Sequence, residues 1–114
     1  MNTSLRISRR GAPAGTCVLA VTGEIDFDTA PALARSLDAA LTGPPVPATL
    51  VVDCSALTFC GSAGLNVLLV TRKRAARTNI TLSLAAPNPQ LLRLLRMTGA
   101  DALFTLTTAP TTYP

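Results

Sequence analysis

Apolar positions along the chain switch between alternation and helical spacing. Leu5-Arg6-Ile7 alternates, Gly11 to Gly15 reads as a loop, and Cys17 to Val21 is a second apolar run, which predicts an early hairpin. Gly23-Glu24-Ile25-Asp26 leads out of that strand. Asp28 or Thr29 is then expected to cap a helix with Pro31 in its first turn and Leu33, Leu37 and Leu41 on one face. Gly43-Pro44-Pro45-Val46-Pro47 stops it. Leu50-Val51-Val52 is a β-branched run that suits a strand buried on both faces, expected over 49–53 and ended by Asp53. After Phe59-Cys60 the small residues Gly61-Ser62-Ala63-Gly64 open a helix that starts near Ser62 or Ala63 and runs to about 77. Ile80, Leu82 and Leu84 alternate as another strand. Pro87-Asn88-Pro89 starts a third helix with Leu91, Leu92, Leu95 and Met97 facing inward and Gly99 terminating it. Leu103-Phe104 and Leu106 predict a last short strand, and the polar stretch 107–114 is expected to fray. Strands alternating with helices imply an α/β fold, with a mixed, mostly parallel sheet of about five strands and three to four helices packed on it.

Composition narrows the class. The 114 residues suit one domain, expected over 1–106 with the tail 107–114 after it, and 48% hydrophobic against 14% charged residues marks a globular chain. No apolar run reaches the ~18 residues of a membrane span, and MNTSLRISRRG lacks the apolar centre of a secretory signal, so a cytoplasmic location is expected. The cysteines, Cys17, Cys54 and Cys60, are odd in number and two of them fall in or beside predicted buried strands, which argues against a disulfide scaffold. With no His and no CxxC pair, neither a metal site nor another cofactor is expected. The net charge of +4 is concentrated only in Arg72 to Arg77, at the end of a predicted helix where cations complement the dipole. One Tyr and three scattered Phe offer no stacking platform, so direct nucleic-acid binding is not expected.

Chemistry concentrates between Asp53 and Gly64. Ser62 sits where a helix leaves backbone N–H groups unpaired, and it admits two readings: an N-cap, or a hydroxyl for phosphorylation, since a helix N-terminus holds a phosphate at little structural cost. Enzymatic alternatives lack their required residues. A nucleotide P-loop needs Lys after its last Gly, where Leu65 stands, and a cysteine-phosphatase loop would carry Arg at position 66, which is Asn. Cys60 precedes a helix start, where a thiol can be acidified, but the chain has no His to act as base for a Ser or Cys nucleophile. Loop carboxylates such as Asp26, Asp28 and Asp53 serve more commonly as caps than as acid–base groups.

Three segments in register, GEIDFDTAPAL at 23–33, VVDCSALTFCGSAGLNVLL at 51–69 and LLRMTGADALF at 94–104, resemble the STAS-domain anti-sigma factor antagonists of bacteria. The resemblance covers almost everything before the tail. It implies a STAS fold that is not an enzyme but binds a GHKL-type anti-sigma factor kinase, frees a sigma factor for transcription, and is switched off when the kinase phosphorylates one Ser. That acceptor aligns with Ser62. A partner-binding surface of Asp26, Thr29, Asp53, Ser55, Thr58, Gly61, Ser62, Ala63 and Gly64 is implied, in a monomer or weak dimer. Gly61 departs from the pattern, standing where the family usually has Asp directly before the acceptor. A fourth helix after Phe104, which many relatives carry, has no counterpart. Gly61 favours the alternative of a constitutive scaffold or a subunit of a lipid-transport assembly, without the switch.

Overall fold

Strand β1 (Leu5–Arg10) turns back on β2 (Thr16–Ile25) as the alternation predicts, and the chain then repeats a helix and a strand: α1 (Ala30–Thr42), β3 (Thr49–Cys60), α2 (Ser62–Arg77), β4 (Thr81–Ala85), α3 (Pro89–Met97), a 3₁₀ turn at Ala100–Leu103, and β5 (Thr105–Thr107). The computed structural model describes residues 5–108. The five strands lie in sequence order, β1 antiparallel to β2 and every later neighbour parallel. Right-handed crossovers in such a consecutive order carry each helix to the same face. Leu33 and Leu37 of α1, Leu65 and Leu68 of α2, and Leu91 and Leu95 of α3 accordingly share one core with Val21, Leu50, Val52, Leu82 and Leu84 of the sheet. On the other face Val18, Val51 and Ala85 form a small cluster of their own.

Strand β3 corrects the expectation that it ends at Asp53, because it continues to Cys60. Ala20 pairs with Asp53 but Thr22 pairs with Ala56, and Gly23 pairs with Leu57 but Glu24 with Phe59, so β3 twice spends one residue more than β2. These bulges leave Ser55-Ala56 and Thr58-Phe59 exposed as adjacent pairs, which destroys the alternation a strand is recognised by. Helix α2 begins at Ser62 with Gly61 as its N-cap and no side-chain cap, so the capping reading of Ser62 does not hold. Met97, expected inward, is 76% exposed; it lies roughly 200° around the helix from Leu95 at about 100° per residue. Leu103 belongs to the 3₁₀ turn rather than to a strand, and Thr107, expected to open the tail, closes β5. Residues 109–114 of that expected tail lie outside the described residues. Helix α1 stops at Gly43, whose φ of 68° and missing Cβ, which would meet the Pro45 carbonyl carbon at 2.5 Å, require glycine.

Asp53 points to the face away from the helices and is buried, with 1% of its side chain exposed. Arg10 Nη1 reaches Asp53 Oδ2 at 2.8 Å, and the Ser55 amide donates to Asp53 Oδ1 at 3.0 Å. A buried carboxylate stripped of its cation is costly, whereas its neutral isostere is much less so. Arg10→Ala should therefore lower stability by about 1–3 kcal/mol, less than breaking a fully buried pair, because Arg10 is half exposed. Adding Asp53→Asn to Arg10→Ala should recover part of that loss, read as urea midpoints at neutral pH.

Candidate functional site

The C-terminal tips of β2 and β3 meet the N-termini of α2 and α3 at one end of the sheet. The Gly61 amide donates to the Ile25 carbonyl at 2.9 Å. Gly64, in the first turn of α2, lies so close that a Cβ there would stand 2.5 Å from Ile25 Cγ2 and 2.7 Å from Cys60 Sγ. Only glycine lets α2 start against the β2 tip, and Asp26 is the next residue after Ile25.

The chain leaving β2 forms a reciprocal cap ahead of α1. Asp26 Oδ1 accepts the amides of Asp28 and Thr29, both at 2.9 Å, while Thr29 Oγ1 accepts the Asp26 amide at 2.9 Å and donates to the Glu24 carbonyl at 3.0 Å. This is the logic of a capping box, each end of a three-residue step satisfying the other's backbone. Thr29 occupies the N-cap position of α1, but its side chain serves the turn behind it rather than the helix ahead. Across the tip, Thr58 Oγ1 donates to the Gly23 carbonyl at 2.9 Å.

The β3 tip is held from its other side by α3. Gln90 Oε1 accepts the Cys60 amide at 2.9 Å and Gln90 Nε2 donates to the Cys60 carbonyl at 2.7 Å, so one side chain replaces a neighbouring strand. Asn88 caps α3 by accepting the Leu91 amide at 2.8 Å and donates from Nδ2 to the Leu57 carbonyl at 3.0 Å. The segment before Ser62 is thus fixed by Ile25 on one side and by Asn88 and Gln90 on the other.

Ser62 is exposed on the first residue of α2. The amides of Ser62, Ala63 and Gly64 have no acceptor within the helix, while Leu65 N–H reaches back to the Gly61 carbonyl at 3.0 Å. Among the described residues the arrangement offers a free hydroxyl beside uncapped donors at the positive end of a helix dipole. Cys60 and Cys54 differ sharply from it. Burial pushes the Cys60 thiol from 9.0 up to about 11. Burial first, then the neighbouring Cys60 thiol and the Asp53 carboxylate, push Cys54 up to about 12. Cys60 is therefore a protonated core residue, not the acidified thiol that its position before a helix suggested.

Of the residues expected in a partner-binding surface, Asp26, Thr29, Thr58, Gly61, Ser62, Ala63 and Gly64 gather at this end. Asp53 and Ser55 do not: Asp53 lies roughly 20 Å down β3 from Cys60, at about 3.3 Å per residue, and its carboxylate is engaged by Arg10 inside the sheet. Four residues of the tip escaped the sequence reading. Gln90 and Asn88 act on backbone 30 and 31 residues away, which no local pattern encodes, although Pro87-Asn88-Pro89 did mark the helix start. Phe27 and Phe59 are 83% and 42% exposed. Phe27 had a signal, an aromatic residue flanked by Asp26 and Asp28 in a turn. Among the described residues no three His, Cys, Asp or Glu side chains gather for a metal, and no helix is long and apolar enough to cross a membrane.

A family model described as "Mlab, STAS domain" matches residues 8–107. The anti-sigma-F factor antagonist RsfB of Mycobacterium tuberculosis is 33% identical over 92 residues, spanning 81% of this chain and 73% of that protein. A crystal structure of an anti-sigma factor antagonist from Mycobacterium paratuberculosis superposes with a TM-score of 0.78 at 33% identity, covering 95% of this chain and 87% of that one. The Bacillus cell fate determinant SpoIIAA in its phosphorylated form gives 0.69 at 16% identity, over 89% and 90% of the two chains, a likeness of fold alone.

Two outcomes test this frame. Gln90→Leu should cost about 1–3 kcal/mol and raise amide exchange at Cys60 and Gly61 by about tenfold or more, measured by NMR, with little change in the body of α1. The two thiols are held neutral by folding, so their contribution is complete below about pH 9 and is lost as pH rises toward 11–12. Urea midpoints should accordingly fall with alkalinity above about pH 9, and replacing both cysteines with alanine should flatten that fall.

Proposed function

The chain belongs to the STAS domain family, and on that premise we propose that it is an anti-sigma factor antagonist. The tip around Ser62 binds a GHKL-type anti-sigma factor kinase, frees a sigma factor, and lets go once the kinase phosphorylates Ser62. The protein acts by binding and not as an enzyme, in keeping with the similarity to relatives named anti-sigma factor antagonists.

The observation that carries this reading is the exposed Ser62 hydroxyl on the first residue of α2, a helix with no side-chain cap, set on a backbone pinned by Ile25 and Gln90. A phosphoryl group there brings about −1.5 to −2 charges and finds free amides and a favourable dipole, so the fold accepts it. The partner does not accept it as easily. A hundredfold loss of affinity needs about 2.7 kcal/mol, which dehydration of a phosphate inside a formerly close contact can supply. Glu at the same position brings about half the charge and should act as a partial mimic.

Gly61 favours a second reading, a constitutive STAS module without the switch, because the position before Ser62 offers no carboxylate. The site would accept one. Gly61 has an ordinary φ of −88°, and a Cβ would meet the exposed Phe59 ring, at 3.3 Å from Cε2, and the Ile25 carbonyl oxygen at an ordinary 3.8 Å.

Pull-down from native cytoplasm with wild type, Ser62→Ala and Ser62→Glu as baits, read by mass spectrometry, separates the two. Wild type and Ser62→Ala should recover a GHKL-type kinase, with about tenfold less on Ser62→Glu; equal recovery by all three would leave only the constitutive module. Incubated with ATP and the recovered kinase, wild type should be modified at Ser62. Gly61→Asp should be modified several-fold faster while gaining a few tenths of a kcal/mol in stability from its N-cap.

A further inference from the structure

Phe27 combines two properties that rarely occur together. It is 83% exposed, more than Met97 at 76% or Val46 at 58%, yet its turn is fixed on both sides by the Asp26–Thr29 cap and by the Thr29 hydroxyl on the Glu24 carbonyl. An aromatic ring on a mobile loop loses entropy when it is captured; a ring on a backbone already immobilised loses little beyond its own rotamers. The same turn carries Glu24, Asp26 and Asp28 and no cation between residues 23 and 29, in a chain whose net charge is +4. Asp26 is occupied in the turn, whereas Glu24 and Asp28 are exposed.

We propose that Phe27 is the anchor of the partner interface: its ring enters an apolar pocket on the anti-sigma factor, and cations at the rim of that pocket face Glu24 and Asp28. This rests on the function proposed above and names what the partner must present. Buried aromatic anchors ringed by polar contacts dominate the energetics of many interfaces, and complementary rim charges steer association more than they hold the complex. The position of the anchor is continuous with Ser62. Phe27 lies two residues beyond Ile25, whose carbonyl holds Gly61, and Gly61 precedes Ser62. Glu24 and Asp28 belong to the β2–α1 side of the tip and Ser62 to α2, so the cations that meet the carboxylates need not meet the phosphate. A phosphate on Ser62 instead puts a hydrated dianion at the edge of the apolar seal around Phe27, which explains why modification there would release the partner.

The test uses the full chain and each purified GHKL-type anti-sigma factor encoded in the same genome, titrated calorimetrically with wild type, Phe27→Ala, Phe27→Leu, Met97→Ala and Ser62→Glu. Phe27→Ala should weaken binding by about 30-fold or more, Phe27→Leu by less, and Met97→Ala, an exposed apolar residue at the far end of α3, by less than about twofold. All should melt with wild type, since none of the three side chains is buried. The double variant Glu24→Gln/Asp28→Asn should associate more slowly and lose much of the salt dependence of the wild-type rate. If an anti-sigma factor binds wild type and Phe27→Ala stays within about threefold of it, the anchor is wrong and the proposed function stands. If none binds wild type, the proposed function fails and the anchor fails with it. Loss with Phe27→Ala but not with Ser62→Glu would keep the anchor and remove the switch.

Discussion

The tip of this domain depends on a side chain that is not there. Gly64 brings the first turn of α2 into contact with Ile25 and Cys60, closer than any Cβ would permit. Glycine inside a helix sacrifices roughly 0.5–1 kcal/mol relative to alanine, and here that local loss sets where the helix begins. A Cβ at position 64 would push α2 outward, stretching the 2.9 Å bond from the Gly61 amide to the Ile25 carbonyl and carrying Ser62 away from the Asp26 turn. Two stretches of sequence far apart in the chain become one surface through this contact together with the Gly61–Ile25 and Thr58–Gly23 bonds.

Around it the molecule is built to stay still. Gln90 imitates a strand, the Asp26–Thr29 pair closes a turn on itself, and Thr58 ties β3 to Gly23. A stiff platform suits control by charge. When backbone cannot rearrange to accommodate an added group, the energetic consequence falls on whatever is docked against it rather than being absorbed internally. A few kcal/mol at an interface is decisive, while the same group placed at an uncapped helix start leaves the fold, whose total margin is typically about 5–15 kcal/mol, essentially unaffected.

The sequence was most legible where a local period maps directly onto burial. Leu33 and Leu37 one turn apart, the apolar run at Leu50 to Val52, and the alternation of Ile80, Leu82 and Leu84 all reported their faces correctly, and the order of those elements implied the parallel sheet. Past Asp53 strand β3 is illegible because its two extra residues turn adjacent side chains outward, which breaks both the buried apolar run and the alternation that mark a strand. Met97 was misplaced for the opposite reason: in so short a helix, apolar composition outran angular position. Asp53 came with a family motif, but its partner Arg10 is 43 residues away, and nothing local distinguishes a carboxylate meant for a surface from one meant for an internal ion pair. Ser62 was placed correctly at a helix start, although the chain leaves Gly61, not Ser62, to be the cap.

That ion pair has a topological meaning. Arg10 belongs to the outermost strand, Asp53 to the central one, and β2 lies between them, so the guanidinium reaches across an intervening strand like a staple. Detaching β1 would not simply release an edge ribbon; it would leave a carboxylate stranded inside the sheet. Edge strands are the usual currency of domain swapping, exchanged between copies when they peel away cheaply. Here the edge is fastened to the middle, and a chain whose proposed task is to change partners keeps its own strands out of the exchange.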